Sequence, residues 1–547
     1  CMLWSNNMGG YPAFADIYGA FMHPLAVVMS LLFGAIQGSK LTVILAFLMI
    51  AVATWWFSLI LDMHPIARIW AALASMFGGH IAARLEVGSV GLPLSIAAGW
   101  LAIVSVYYFI ENPNRFRAIL TGVMLGMFML AGQGYYQLGF VLSVPLFLLL
   151  AYRMEMFEKP RQELTRYLTQ ITVVAVGIAA PLLYTFVAYG GYFDKDRDET
   201  LSASMSIFKL MENWFNTNTD IVYTTDYNAL PFPYLYSTYI GYATVILAIL
   251  GIVYIREKHL RLLYDFFSLF ALVQFLTASG DFLKWVMSFN IEQVNSVITA
   301  LRYVVVLNGF GTLAIIVMAM LCLHSLLTAR VMVQFGFQYK NLENYIQLKI
   351  RLAVRQEKWL RYAINGVIAV IMVWNLNSMV LMNSFWIRAQ APYDDNVQKF
   401  LVAFNEVPKD HLIDVGGDWI VMQLMHAGYK IINPHLSWWF GSSEGLSYKY
   451  SLSEGVPENF EIMQTFDDVW FLSVNNDPNA NYAVLEKDNG ELQQCASQAH
   501  GGSVTVDCTS DQPGKLRIFE RSIPGWYVWL DGTRVTQGNS PWMTVYI

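Results

Sequence analysis

Along the first 383 residues, long apolar runs alternate with short polar loops; beyond them the apolar runs shrink to strand length. A run of about 17–25 apolar residues spans the hydrocarbon as a helix. Ten runs are candidates: 21–36, 41–61, 91–110, 118–132, 135–152, 170–189, 238–255, 263–279, 301–326 and 362–383, the fourth and fifth being short. The stretch 65–78 is apolar but too short to cross. Between the last two runs, Leu342, Ile346, Ile350 and Ala353 recur at helical spacing in a basic segment, which predicts a helix lying on the cytoplasmic leaflet.

After residue 383 the pattern predicts a helix around Val397 to Phe404, then a β-α-β-like unit in HLIDVGGDWIVMQLMHAGYKIINP. From about residue 465 it becomes short strands, VWFLSV, NYAVLE, ELQQCA, SVTVDC, KLRIFE and WYVWLD, separated by turn signals such as Asp-Asn-Gly and Asp-Gly. The expected architecture is a polytopic α-helical membrane domain over residues 1–383 with about ten visible spans. A soluble α+β or β-sandwich domain follows over 384–547, β-rich after about 465.

Composition supports this division. The chain of 547 residues is 56% hydrophobic and 14% charged, where soluble domains carry about 25% charge. Residues 384–547 hold 10 Lys/Arg against 20 Asp/Glu, leaving 24 basic and 20 acidic residues in the membrane part. The net charge of −6 argues against a nucleic-acid partner.

Loop charge predicts sidedness, because Lys and Arg accumulate on the cytoplasmic side. One alternate set of loops carries 17 basic residues and the other 7, which places both chain ends and the acidic domain outside the cytoplasm. An outer start at Cys1 without a signal predicts at least one further helix upstream; a lipidated Cys1 is the lesser reading. Cys495 and Cys508 flank Gly501-Gly502 in a hairpin-like stretch, so a disulfide between them suits an oxidising compartment. Zinc is the weaker reading there, for want of a second pair at metal spacing.

The outer loops gather the candidate chemistry: Asp16, His23, Asp62, His64, His80, Arg84, Glu86, Gln133 and Gln137. Ionisable groups at membrane depth are costly and line cavities or pair with one another. Asp16 and Glu86 are the preferred functional carboxylates, with His80, Arg84, Gln133 and Gln137 as substrate-binding candidates; ordinary interfacial chemistry is the bland alternative for each. Asp62 equally suits a cap before His64 and Pro65. Arg302, at the mouth of a span, suits a lipid phosphate and equally a snorkelling anchor. Three histidines on separate segments lack the i, i+4 pairing of a helical zinc site, which leaves a divalent cation held by carboxylates and a substrate phosphate as the remaining metal reading. Trp438, Trp439, Trp526, Trp529 and Trp542 suit stacking on sugars and, more commonly, core or interface roles.

Five segments together resemble YfhO-type membrane glycosyltransferases of the GT-C superfamily: GGYPAFADIYGAFMHP, FGGHIAARLEVGS, LAGQGYYQLGF, STYIGYATVILAILGIV and ERSIPGWYVWLDGTRV. The resemblance spans nearly the whole chain, each motif being weak alone. It implies transfer of a sugar from a polyprenyl-phosphate carrier to a glycan, polymer or protein acceptor on the outer face of a prokaryotic cytoplasmic membrane. An outer-loop carboxylate would act as base, and a cation could stabilise the leaving phosphate. It also implies that the first catalytic acid follows a first helix, so the acid belongs upstream of Cys1 or, within this sequence, at Asp16. The family's further strand and last helix imply continuation past Ile547. The alternative is a catalytically silent GT-C-like structural or assembly subunit; a transporter is a distant third, since few ionisable residues lie mid-span.

Overall fold

The computed structural model describes residues 5, 7, 10, 20–85, 90–132, 134–189, 201, 204–216, 237–299, 301, 303–328, 334–337, 346–349, 354–388, 395–416, 418–432, 447–467, 469–522, 525–538 and 542–547. The chain forms two compact units. One comprises residues 17–181 and 197–389; the other comprises 1–16, 182–196 and 390–547.

The first unit is helical. Among the described residues, six helices are long and apolar enough to cross a membrane: Pro24–Ile60, Gly91–Glu111, Arg161–Tyr189, whose residues from 182 on count with the other unit, Lys258–Ala278, Val304–Thr328 and Tyr362–Ser384. Gly134–Leu142 and Val144–Arg153, bent by 41°, make a seventh if counted as one span. The chain is thus a multi-pass membrane protein, but ten separate spans are not found among the described residues. The shortfall has a geometric cause. Arg115–Leu130 has 16 residues and Tyr242–Tyr254 has 13, and at about 1.5 Å per residue neither covers a hydrocarbon core of about 30 Å.

The runs expected at 21–36 and 41–61 form one helical stretch interrupted at Gly34, whose φ of 77° and ψ of 170° suit only glycine. A Cβ on Gly38 would lie 2.5 Å from Ser30 Cα. Residues eight apart on a straight helix would be about 12 Å apart, so the two segments fold back on each other with Gly38 as the contact point.

Val304–Thr328 is enclosed by its neighbours from residue 304 to 323 and emerges only at its C-terminal end. Its ring Phe310 packs against Phe128, Tyr136 and Phe270. Such enclosure lets this helix carry polar groups that a lipid-facing helix could not.

The basic segment expected to be a helix instead contains strands β1 (Gln334–Phe337) and β2 (Ile346–Lys349), paired antiparallel. Of the four positions read as helical, Ile346 lies in β2, and Leu342, Ile350 and Ala353 lie outside the described residues; the four-residue steps 342, 346 and 350 share a face on a strand as well as on a helix, and only the three-residue step to Ala353 favoured a helix.

The second unit is strand-rich. Strands β3 (Leu412–Val415), β4 (Lys430–Ile432), β5 (Tyr450–Ser453), β6 (Phe460–Phe466) and β7 (Trp470–Asn475) form one sheet in the order β4-β3-β5-β7-β6. β3 and β4 are parallel and joined through helix Asp418–His426, as the sequence pattern predicts. Strands β8 (Ala483–Lys487), β9 (Leu492–Gln494), β12 (Gly514–Arg521) and β15 (Trp542–Tyr546) form a second sheet in the order β15-β12-β8-β9. β10 (Ala496–His500) with β11 (Ser503–Asp507), and β13 (Val528–Leu530) with β14 (Thr533–Val535), are hairpins.

Alternation along β3 explains the layering. Ile413 and Val415 pack with Phe400, Phe404 and Leu424 from helices, while Leu412 packs with Tyr482, Leu485, Leu516 and Ile518 of the second sheet. The result is helix on sheet on sheet. Between the sheets, Lys430 lies over the Tyr482 ring at 3.5 Å and donates to the Asp410 carbonyl at 3.0 Å, and Tyr482 donates to Glu520. Burial pushes Lys430 down to about 8, opposed by the Glu520 charge.

Cys495 and Cys508 are disulfide-bonded, 13 residues apart, a cross-link contributing about 3 kcal/mol by chain entropy. Trp542 belongs to the core, edge-to-face with Phe519; Trp438 and Trp439 lie outside the described residues.

The close approach at Gly38 yields a first expectation. Gly38→Ala should destabilise the helical unit by about 1–3 kcal/mol, the cost of overpacking, whereas Gly366→Ala, with nothing within 4 Å of the added Cβ, should be neutral or slightly stabilising. Thermal melting of the two variants in detergent separates these outcomes.

Candidate functional site

The first unit brings together five segments distant in sequence: 78–85, 135–137, 238–240, 303–309 and Asn383. Helix Pro65–Phe77 ends at Gly78, and Gly79 then comes so close to the chain at Tyr239 that a Cβ would lie 2.6 Å from Tyr239 N. Gly79 N donates to Tyr239 O at 2.9 Å. Asn383 Nδ2 donates to Phe77 O at 2.6 Å, tying the 354–388 helix to the same turn.

His80 and Arg84 follow within this turn, and both side chains are fully buried. Arg84 Nη2 donates to Asn308 Oδ1 at 3.0 Å and to Val306 O at 3.3 Å. Among the described residues, its Nε and Nη1 have no partner and it forms no ion pair with a carboxylate. Among the described residues, neither ring nitrogen of His80 has a partner, and the hydroxyl of buried Tyr136 and Nδ2 of Asn308 are likewise unpaired. Tyr303 N donates to Tyr135 Oη at 2.9 Å, holding the 303–309 segment against 135–137.

The electrostatics follow from burial. Desolvation, and then the Arg84 charge, hold His80 well below the usual histidine range, so it is a neutral imidazole. Arg84 is lowered too, chiefly by burial, yet guanidinium stays protonated in proteins. A buried cation with no counter-charge costs several kcal/mol. The chemical complement of this cluster is an anion that accepts hydrogen bonds. A divalent cation does not fit here: the guanidinium would repel it, and no group of three or more His, Cys, Asp or Glu that could hold a metal occurs among the described residues.

Of the residues singled out from sequence, His80 and Arg84 come together here. Gln137, next to Tyr136 in the sequence, donates from Nε2 to Phe128 O and Gly132 O at 2.8 Å each at the end of helix Arg115–Leu130, while its buried Oε1 has no partner among the described residues. His23 and His64 cap helices, their Nδ1 atoms accepting from Leu25 N at 3.2 Å and Ile66 N at 3.3 Å. His64 thus takes the capping role considered for Asp62, which is exposed and pairs loosely with Arg68 at 3.9 Å. Asp16, Glu86, Gln133 and Arg302 lie outside the described residues. Tyr136 and Asn308 join the cluster without having been picked out. Asn308 had a visible signal, a polar amide inside the apolar run 301–326.

No family model matches this sequence, and no curated protein matches it. Among solved structures, the chain is similar to the cryo-electron-microscopy structure of the arabinofuranosyltransferase AftD from Mycobacteria. The TM-score is 0.52 at 10% identity, over 88% of this chain and 37% of that one. The likeness is therefore one of fold, and this chain spans well under half the length of that structure.

Two expectations test the site. If Arg84 is held at the expense of stability, Arg84→Met should keep or raise the melting temperature, because replacing a buried charge with an apolar group of similar volume is often neutral or stabilising. Asn308→Leu, which removes one of the two acceptors of Arg84 Nη2 and leaves the cation buried, should lower stability by about 1–3 kcal/mol. Differential scanning fluorimetry of both variants decides the sign.

The second concerns pH. Burial pushes His23 down to about 4 from 6.5, so the unfolded chain binds the extra proton between those values. His23 thus contributes stability fully above pH 6.5, lost as pH falls toward 4; His80 acts with the same sign. His23→Asn keeps a capping acceptor and should flatten the loss of melting temperature between pH 6.5 and 4. An unchanged slope would contradict this.

Proposed function

We propose that the chain is a GT-C-type membrane glycosyltransferase that moves a sugar from a polyprenyl-phosphate-linked donor to an acceptor on the outer face of the membrane. The observation that carries this reading is the fold likeness over 88% of the chain to a structure titled as an arabinofuranosyltransferase. The buried cluster around Arg84 supplies chemistry that suits it. A polyprenyl phosphate brings an anion attached to an apolar tail, and Arg84 offers two unpartnered guanidinium nitrogens inside a helical membrane unit.

In the proposed reaction the acceptor hydroxyl attacks the anomeric carbon of the donor sugar. The bond from that carbon to the acceptor oxygen forms as its bond to the phosphate oxygen breaks, and the phosphate departs with the electron pair. The hydroxyl proton passes to a carboxylate, a role proposed for Asp16, with Glu86 as the second candidate. Arg84 stabilises the charge gathering on the phosphate, and neutral His80 orients an oxygen beside it without competing as a cation. Arg302 is proposed to receive the carrier phosphate at the membrane surface.

The test is transfer from a radiolabelled polyprenyl-phosphate sugar by the purified full chain in nanodiscs. Asp16→Asn should reduce turnover by about 100-fold or more, the scale of a lost general base, and Arg84→Gln should reduce it similarly. A folded wild-type protein that releases no sugar from any supplied donor would instead support the silent-subunit alternative. Unchanged turnover in Asp16→Asn would remove Asp16 as the base.

A further inference from the structure

The strand-rich unit carries an open cleft of about 540 Å³ beside the β13–β14 hairpin. Its lining includes Ser522, Trp526, Tyr527, Arg534, Thr536 and Gln537. The hairpin turns on Asp531 and Gly532, both at positive φ (46° and 80°), the backbone of a tight type I′ turn. Register places Trp529 opposite Arg534, so the two share a face, and the Arg534 guanidinium lies 4.2 Å from the centre of the Tyr527 ring. Tyr527 and Trp529 are 60% and 64% exposed. Tyr527 and Arg534 thus line the cleft, and Trp529, outside its lining, extends the same face of the hairpin.

One donor inside the cleft is unused. Gln537 Oε1 accepts from Ser522 Oγ at 3.0 Å, which fixes the amide's orientation, and its Nε2 is buried without a partner. Leaving such a donor unpaired costs about 1–3 kcal/mol, a cost that a ligand oxygen would remove.

We propose that this cleft binds a saccharide chain. A sugar ring presents apolar C–H faces that stack on Tyr527 in the cleft, with the next ring on Trp529 where the chain leaves it, and hydroxyls that accept from Gln537 Nε2 and Arg534 and donate to Ser522 and Thr536. An acyl chain would meet a lining too polar for it, and a nucleic acid would meet a segment with 20 acidic and 10 basic residues. The rival is a bilayer surface, since exposed Tyr, Trp and Arg also mark membrane interfaces. The inference concerns binding alone and stands apart from the transfer reaction.

The experiment titrates the full chain in phosphatidylcholine nanodiscs with maltohexaose, cellohexaose and mannohexaose, read by saturation-transfer NMR and tryptophan fluorescence. At least one should bind saturably. The double substitution Tyr527→Ala, Trp529→Ala should weaken binding by about tenfold or more, as expected for loss of aromatic anchors. Gln537→Met should also weaken it, and Tyr527→Phe, which keeps the ring, should retain it. An unchanged melting temperature shows that each variant is folded. No binding by any of the three saccharides overturns the proposal, as does binding insensitive to the double substitution. Quenching by brominated phospholipid that disappears in Trp529→Phe also overturns it, assigning the face to the bilayer. Sugar transfer is not read here, so failure of the cleft and failure of the transferase reading are distinguishable.

Discussion

One guanidinium inside the helical unit sets the terms for its surroundings. Arg84 is fully buried and holds Asn308 Oδ1 and Val306 O through a single nitrogen. In a low-dielectric interior such a charge is tolerated only where neighbouring elements are themselves held in place. The elements here are pinned accordingly: Gly79 to Tyr239, Asn383 to the end of helix Pro65–Phe77, and Tyr303 to Tyr135. Val304–Thr328, the most enclosed helix, begins where the charge sits. Stability alone would favour an apolar side chain at position 84. Keeping a cation there, beside a neutral imidazole and with two nitrogens unpaired, makes sense if an anion completes the cluster.

Much of the fold was legible because burial writes a period into the sequence. The long apolar runs, the β-α-β unit at 412–432, the Asp-Gly turn of the last hairpin and the disulfide between Cys495 and Cys508 all follow from local chemistry. What was not legible has equally local causes. The positions 342, 346 and 350 fit a helix and a strand equally well, and β1 and β2 are strands. Counting apolar runs does not reveal that Gly34 folds one run back on the next, or that Tyr242–Tyr254 is too short to cross alone.

The site was legible in part. His80 and Arg84 stood out as charged or titratable groups in an apolar context, and they meet. Gln137 stood out as a polar residue between two short apolar runs; its Nε2 is engaged at a helix end, and its buried Oε1 is unpaired among the described residues. Tyr136 and Asn308 were missed because a tyrosine among aromatics, or an asparagine inside a span, acquires meaning only when a distant segment is brought beside it. In the strand-rich unit, Trp542 is core while Tyr527 and Trp529 face outward. Aromatic count could not separate those roles, whereas strand register does.

The central claim is that the Arg84 cluster receives the phosphate of a polyprenyl carrier, and direct binding tests it without requiring the correct sugar or acceptor. Native mass spectrometry of the full chain, released from nanodiscs doped with a polyprenyl monophosphate, measures this. The account predicts that wild type retains a polyprenyl phosphate under activation that strips bulk phospholipid, and that Arg84→Met, folded and at least as stable, does not. Equal retention by both proteins, or retention by neither, would contradict it.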